Sequence, residues 1–185
     1  QIETNLFNLE KGSKVNPANK NAQEPPKEQI QSLIDLHSKG QYQEVVFQAS
    51  QLLNRFISSI GLNYIIGTAN QNLGDMGKAL EAYKRVILLR PNYAEAHYNM
   101  GLAFKALGQL NKAIEAYSKA IYSKPDYTHA YNNMGIAFQQ QGKLNQAIET
   151  YAKAISIKPD YAEAYNNMGN ALKDQGKLEQ AIEAY

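Results

Sequence analysis

The chain contains no cysteine in its 185 residues. That excludes a disulfide framework, a thiol nucleophile and any Cys-ligated zinc or iron–sulfur site, and it fits a reducing compartment, so the expected location is cytoplasmic. Neither sign of charge is in excess. Against 17 Asp and Glu stand 19 Lys and Arg, a net charge of +2, which gives little reason to expect nucleic acid or an anionic membrane as the partner. No apolar run approaches the roughly 18 residues that a membrane span needs. Residues Gln1 to Glu10 lack the charged-then-apolar order of a signal peptide, and the chain does not begin with Met. Histidines occur only at His37, His97 and His129, never in an H-E-x-x-H arrangement, so no metal site is expected. The nucleophile-elbow, P-loop and dinucleotide-binding motifs are absent too. No catalytic residue and no cofactor is expected, and the composition, 44% apolar and 19% charged, is that of a globular chain for which binding is easier to expect than catalysis.

What the chain does have is a repeat. Pro91, Pro125 and Pro159 each follow the last by 34 residues, and Gly67, Gly101, Gly135 and Gly169 keep the same step. So do Gly40, Gly74, Gly108, Gly142 and Gly176, then Ala79, Ala113, Ala147 and Ala181, then Tyr83, Tyr117, Tyr151 and Tyr185. Residues Thr128–Tyr151 and Ala162–Tyr185 share 16 of 24 positions. Such self-similarity at a fixed period is the mark of a repeat architecture.

Each unit reads as two amphipathic helices. Over Ala94–Leu107 the apolar stripe is Ala96, Met100, Ala103, Phe104 and Leu107; over Leu110–Tyr122 it is Leu110, Ala113, Ile114, Tyr117, Ala120 and Ile121. Gly108 between them suits a left-handed closing turn, and Pro125 stops the second helix. Asp126 is placed to cap the next helix, and Asn92…Glu95 and Asp160…Glu163 resemble capping boxes. The small pair Gly101 and Ala113 would let the two helices approach, with Phe104 and Tyr117 at the flanks.

Tyr131-x2-Met134-Gly135-x2-Phe138, followed by Ala147-x3-Tyr151 and Pro159, resembles the signature of the tetratricopeptide repeat (TPR) family, with Tyr in the usual Trp place. His97, Met100, Gly101, Phe104, Ala113, Tyr117 and Pro125 follow it closely. The unit before keeps Gly67, Ala79, Tyr83 and Pro91 but has Asn63 and Asn70 where aromatics are expected. The resemblance implies an all-α fold, a right-handed α-solenoid of stacked helix-turn-helix units over residues 26–185, divided as 26–59, 60–93, 94–127, 128–161 and 162–185. The first unit is degenerate and end-capping, with Leu33 in the usual glycine place. The last is truncated. Residues 1–25, polar and proline-bearing around Asn16 to Pro25, are expected to form a flexible N-terminal arm. Ala181, Ile182 and Tyr185 look like interior residues rather than a polar cap, so the natural protein is expected to continue, and this end is a candidate for end-to-end self-association.

In the TPR family the first helix of each unit lines the concave face where ligands sit. Carried over, that face comprises Tyr64 and Thr68; then Tyr98, Asn99, Leu102 and Lys105, with Glu95; then Asn132, Asn133, Ile136 and Gln139; then Asn166, Asn167, Asn170 and Lys173. Asn99, Asn133 and Asn167 share one register and resemble the asparagine ladder of the TPR region of O-linked N-acetylglucosamine transferases, which grips the backbone of extended peptides. A side-chain amide offers donors and acceptors together and so pairs with a peptide bond of any sequence. The alternative is that duplicated units inherit the ladder and its amides bond neighbouring helices.

The resemblance therefore implies a protein–protein interaction scaffold that holds a peptide or partner helix, without catalytic activity of its own. The other reading is the recognition or oligomerisation arm of a larger glycosyl-, sulfo- or methyltransferase. A chaperone's C-terminal carboxylate is not an expected ligand, because Tyr64, Tyr98, Asn132 and Asn166 stand where the chaperone-binding members have basic residues. RNA would need a basic or base-reading stripe that this neutral, amide-rich face lacks.

Overall fold

A computed structural model of the protein describes residues 24–184. Among the described residues the chain forms ten α-helices and no strand. They follow one another in pairs: α1 (Lys27–Ser38) with α2 (Tyr42–Leu53), α3 (Ile60–Asn72) with α4 (Met76–Leu89), α5 (Ala94–Ala106) with α6 (Leu110–Ser123), α7 (Thr128–Gln140) with α8 (Leu144–Ile157), and α9 (Ala162–Asp174) with α10 (Leu178–Ala184). This is the expected all-α solenoid of helix-turn-helix units. The chain divides between Ala96 and His97, within α5, into two compact units.

The glycine and proline signals act where the sequence places them. Gly108 has φ 70°, a conformation that costs a side-chain-bearing residue energy and glycine nothing. Its N–H donates to the Lys105 carbonyl at 2.9 Å and that of Gln109 to the Phe104 carbonyl at 2.9 Å, the paired bonds of a Schellman end. The helix α6 stops at Ser123, two residues before Pro125. The capping residues differ from expectation. Tyr127 and Tyr161, not Asp126 and Asp160, occupy the N-cap positions of α7 and α9, and neither helix has a side-chain cap. Both rings are nearly buried, so packing takes the place of a polar cap at these ends. Side-chain caps occur instead in the first unit, where Ser59 accepts the Leu62 N–H at 3.0 Å and Asp75 accepts the Lys78 N–H at 3.2 Å.

In the first unit, Leu33, Val45, Ala49, Leu62, Ile65 and Ala69 form one buried cluster across α1, α2 and α3. Gly67 in α3 lies against the ring of Tyr83 in α4, so closely that a Cβ there would fall 2.5 Å from the ring carbon Cε1. The same contact recurs in the second unit between Gly101 and Tyr117 and between Gly135 and Tyr151. The glycine thus receives the tyrosine ring itself rather than the alanine one turn away. All three rings are fully buried, each at about 2–3 kcal/mol of apolar burial. In α1 and α2 the sizes are exchanged: Leu33 stands in the glycine place and Ala49 in the tyrosine place, both buried in the same cluster. One large and one small residue fill the space either way.

Asn63 and Asn70, which replace aromatics in α3, are buried and turn back on their own helix. Their amides donate to the carbonyls of Ser59 at 2.8 Å and Ile66 at 2.9 Å, so neither is left unsatisfied. Most of the expected arm, residues 1–25, lies outside the described residues. Its last two, Glu24 and Pro25, are docked: Pro25 is buried, and the Glu24 carboxylate accepts the Ser59 hydroxyl and the N–H groups of Ile60 (2.8 Å) and Gly61 (3.3 Å) at the positive end of α3.

Candidate functional site

In the first unit, Tyr64 is 1% exposed, packed edge-on against Tyr93 at 5.4 Å, and Thr68 is 8% exposed with its hydroxyl on the Ile65 carbonyl at 2.9 Å. Both belong to the core, because α3 is covered on nearly every side. The second unit differs. Tyr98, Asn99, Leu102 and Lys105 on α5, Asn133, Ile136 and Gln139 on α7, and Asn167 and Asn170 on α9 are half-buried, while Asn166 and Lys173 are exposed. Asn132 is fully buried.

Side chains of the three first helices of this unit are bonded from one helix to the next. The Asn133 amide donates to the Tyr98 hydroxyl at 3.1 Å and to the His129 carbonyl at 3.0 Å, and its oxygen accepts the Lys105 ammonium at 2.7 Å. Asn132 donates to Glu163 Oε1 at 2.9 Å and accepts from the Asn167 amide at 3.0 Å. Gln139 donates to Asp174 at 2.9 Å and accepts the Tyr151 hydroxyl at 3.1 Å. The asparagine register is thus real, and its members Asn133 and Asn167 both join neighbouring helices. A variant lacking both would lose stability as well as any ligand contact.

Electrostatics follow from this placement. Burial, reinforced by the nearby Glu163 charge, pushes the Tyr98 hydroxyl up to about 12, so it stays protonated. Burial lowers Lys105, and the Glu163 carboxylate acts in the opposite sense. Glu163 was no part of the expected face, although it stands in the first-helix register of Glu95 and His129. Nothing in a linear pattern shows that its carboxylate meets Asn132 on the preceding helix. Beside it runs an aromatic row: Tyr98 to Tyr127 at 4.9 Å, Tyr127 to His129 at 6.4 Å and His129 to Tyr161 at 5.6 Å between ring centres. Its sequence signal was the period of Tyr93, Tyr127 and Tyr161, each following Arg90, Lys124 or Lys158 by three residues and lying under that cation. His97 is buried, as its packing position implies.

One register position alternates. Gln71 and Gln139 each accept the hydroxyl of the tyrosine their helix pair encloses, Tyr83 at 2.9 Å and Tyr151 at 3.1 Å. At the equivalent place in the intervening pair stands Lys105, which reaches Asn133 instead, and the buried Tyr117 hydroxyl has no partner.

At the expected self-association end, Ala181 is buried and Ile182 is 74% exposed, whereas Leu80, one of its counterparts in the earlier units, is 8% exposed. Tyr185 lies outside the described residues. Among the described residues no group of three or more His, Cys, Asp or Glu could hold a metal ion, and no helix is long and apolar enough to cross a membrane.

A family profile described as TPR repeat matches residues 72–108, 103–142 and 137–176, together more than half of the chain. Among solved structures, a crystal structure of MamA is similar with 27% identity and a TM-score of 0.77, over 81% of this chain and 88% of that one. A MamA structure from Desulfovibrio magneticus RS-1 matches with 22% identity and a TM-score of 0.78, over 85% and 89%. PilF of Pseudomonas aeruginosa matches with 18% identity and a TM-score of 0.76, over 85% and 72%. The last two likenesses speak for the fold alone. No curated protein matches the chain at a significant level.

Proposed function

The chain belongs to the tetratricopeptide repeat family, and on that premise we propose that this repeat scaffold binds an extended peptide along the face made by α5, α7 and α9. The observation that carries the reading is the bonded row of side chains on these three helices. Lys105, Tyr98 and Asn133, and then Asn132, Asn167 and Glu163, hold one another in place before any ligand arrives. A polar surface fixed in this way loses little conformational freedom on binding.

Magnitudes assign the parts. The Asn133 amide already makes two donor bonds and one acceptor bond, so it has little capacity left for a ligand. Net bonds of about 1 kcal/mol each from the remaining amides cannot reach the roughly 8 kcal/mol of micromolar affinity once association has cost at least ~4 kcal/mol. The half-buried Leu102 and Ile136 supply the apolar anchors, and the exposed Asn166 and Lys173 supply the polar contacts that the internal network does not consume.

The test uses peptides captured from a random 12-residue display library on the immobilised protein. Replacing Asn166 and Lys173 together by Ala touches two exposed side chains and leaves the bonded row alone. Affinity for the captured peptides is expected to fall about tenfold or more, the loss of one neutral and one charge-assisted bond. Unchanged affinity would place the peptide elsewhere.

A further inference from the structure

We propose that the face carries a pocket for an acidic side chain, formed by Lys105, Tyr98 and Tyr117, so that the bound peptide is selected for an internal Asp or Glu. The inference rests on the reading of α5, α7 and α9 as a peptide-binding face and names what one place on it takes.

The argument starts from the exchange of Gln for Lys. In the flanking pairs a glutamine oxygen satisfies the enclosed tyrosine hydroxyl, Gln71 on Tyr83 and Gln139 on Tyr151. Lysine has donors and no acceptor, so it cannot replace that glutamine as the partner of a hydroxyl proton. Lys105 turns to the Asn133 oxygen at 2.7 Å, and the buried Tyr117 hydroxyl is left without a partner. Buried polar groups are rarely orphaned in this way, and one beside a binding face calls for an acceptor that is brought in from outside.

The surrounding donors converge on the same place. Tyr98 packs on Tyr117 with ring centres 5.9 Å apart, and its hydroxyl oxygen accepts from Asn133, which leaves its proton to donate. The ammonium of Lys105 uses one of its three protons on Asn133. One cation and one hydroxyl donor therefore meet at the Asn133 amide, and the ring that carries the unpartnered Tyr117 hydroxyl packs against Tyr98. The Glu163 carboxylate is engaged by Asn132 at 2.9 Å and by Tyr161 at 3.4 Å. A carboxylate brought by a peptide has two oxygens and about four acceptor sites, enough for all three donors, and its bonds to the ammonium are charge-assisted. A backbone carbonyl or an amide side chain supplies the acceptor without the charge. The carboxylate is that of an internal side chain, since a terminal carboxylate calls for several cations together and the neighbouring face positions Tyr98, Asn132 and Asn166 carry none.

The experiment screens paired libraries of acetylated and amidated 12-residue peptides, identical except that a central position holds Glu in one and Gln in the other, with unlabelled competition to obtain relative affinities. The wild-type protein is expected to prefer the Glu library about tenfold, and the preference should shrink as salt is raised from 0.05 to 0.5 M. Lys105→Gln copies the residue of the flanking pairs and so should fold, and its Tm should stay within about 2 °C of the wild type, because Tyr117 gains the bond of Tyr83 and Tyr151 while Asn133 loses that of Lys105. In that variant the Glu:Gln ratio should approach one, and in Tyr117→Phe it should fall part of the way. A ratio near one for the wild type, or a tenfold ratio that survives Lys105→Gln, overturns the pocket while leaving the peptide-binding face standing. Failure of both libraries to bind at all overturns both readings.

Discussion

His37, on α1, is a residue at which pH reaches the stability of the fold. Its ring lies edge-on to Tyr42 at 4.9 Å and approaches the Asn72 amide at 3.5 Å, and burial lowers its pKa from 6.5. The neutral ring is thus the form the fold favours. For a base lowered on folding, the unfolded chain binds more protons between the two values, so stability is fully present above 6.5 and is lost as pH falls through the folded value. Tm should therefore drop between pH 7.5 and 5.5, and His37→Gln should flatten that slope; equal slopes in both proteins would remove His37 as the cause. The side chains of the α5–α7–α9 face show how far single residues were legible. Period alone placed Asn99, Asn133 and Asn167 in one register and put them on the first helices. It did not show that Asn132, adjacent to Asn133, turns inward to Glu163 while Asn133 serves Tyr98 and Lys105. Those partners come from the neighbouring helices, 31, 35 and 28 residues away, and no local pattern encodes their rotation.

Among the elements, helix limits were legible to about one residue because glycine and proline mark them: α5 and α6 end at Ala106 and Ser123, against expected ends at Leu107 and Tyr122. Helix starts were less legible. An Asp one residue too early looks like a cap in sequence, and only the structure shows Tyr127 and Tyr161 in the capping place with their rings packed inward. The pairing of α3 with α4 rests on the Gly67–Tyr83 contact, and α1 with α2 solves the same problem with Leu33 and Ala49. This reversal predicts a compensation. Tyr83→Ala should destabilise by about 3–5 kcal/mol through the cavity it leaves, and Gly67→Leu by about 1–3 kcal/mol through overpacking. The double variant should be less destabilised than the sum of the two, with a coupling of about 1 kcal/mol or more in chemical denaturation. Additive losses would mean that the exchange in the first pair has another cause.

At the scale of the molecule, a strict 34-residue period made the architecture the most legible feature of all, and the family match and the MamA and PilF likenesses agree with it. Repetition is informative about fold because each unit must bury its faces against its neighbours. It is uninformative about the ligand for the same reason, since packing alone would preserve most of the repeated residues. Where the units depart from one another, as Lys105 departs from Gln71 and Gln139, the departure is what a binding face can use. The most direct test of the whole account is amide hydrogen exchange on the protein with and without a library-captured peptide. Slower exchange is expected along α5, α7 and α9 and unchanged exchange along α6 and α8. Protection confined to α6 and α8, or spread evenly over both helices of each pair, would contradict the assignment of the binding face.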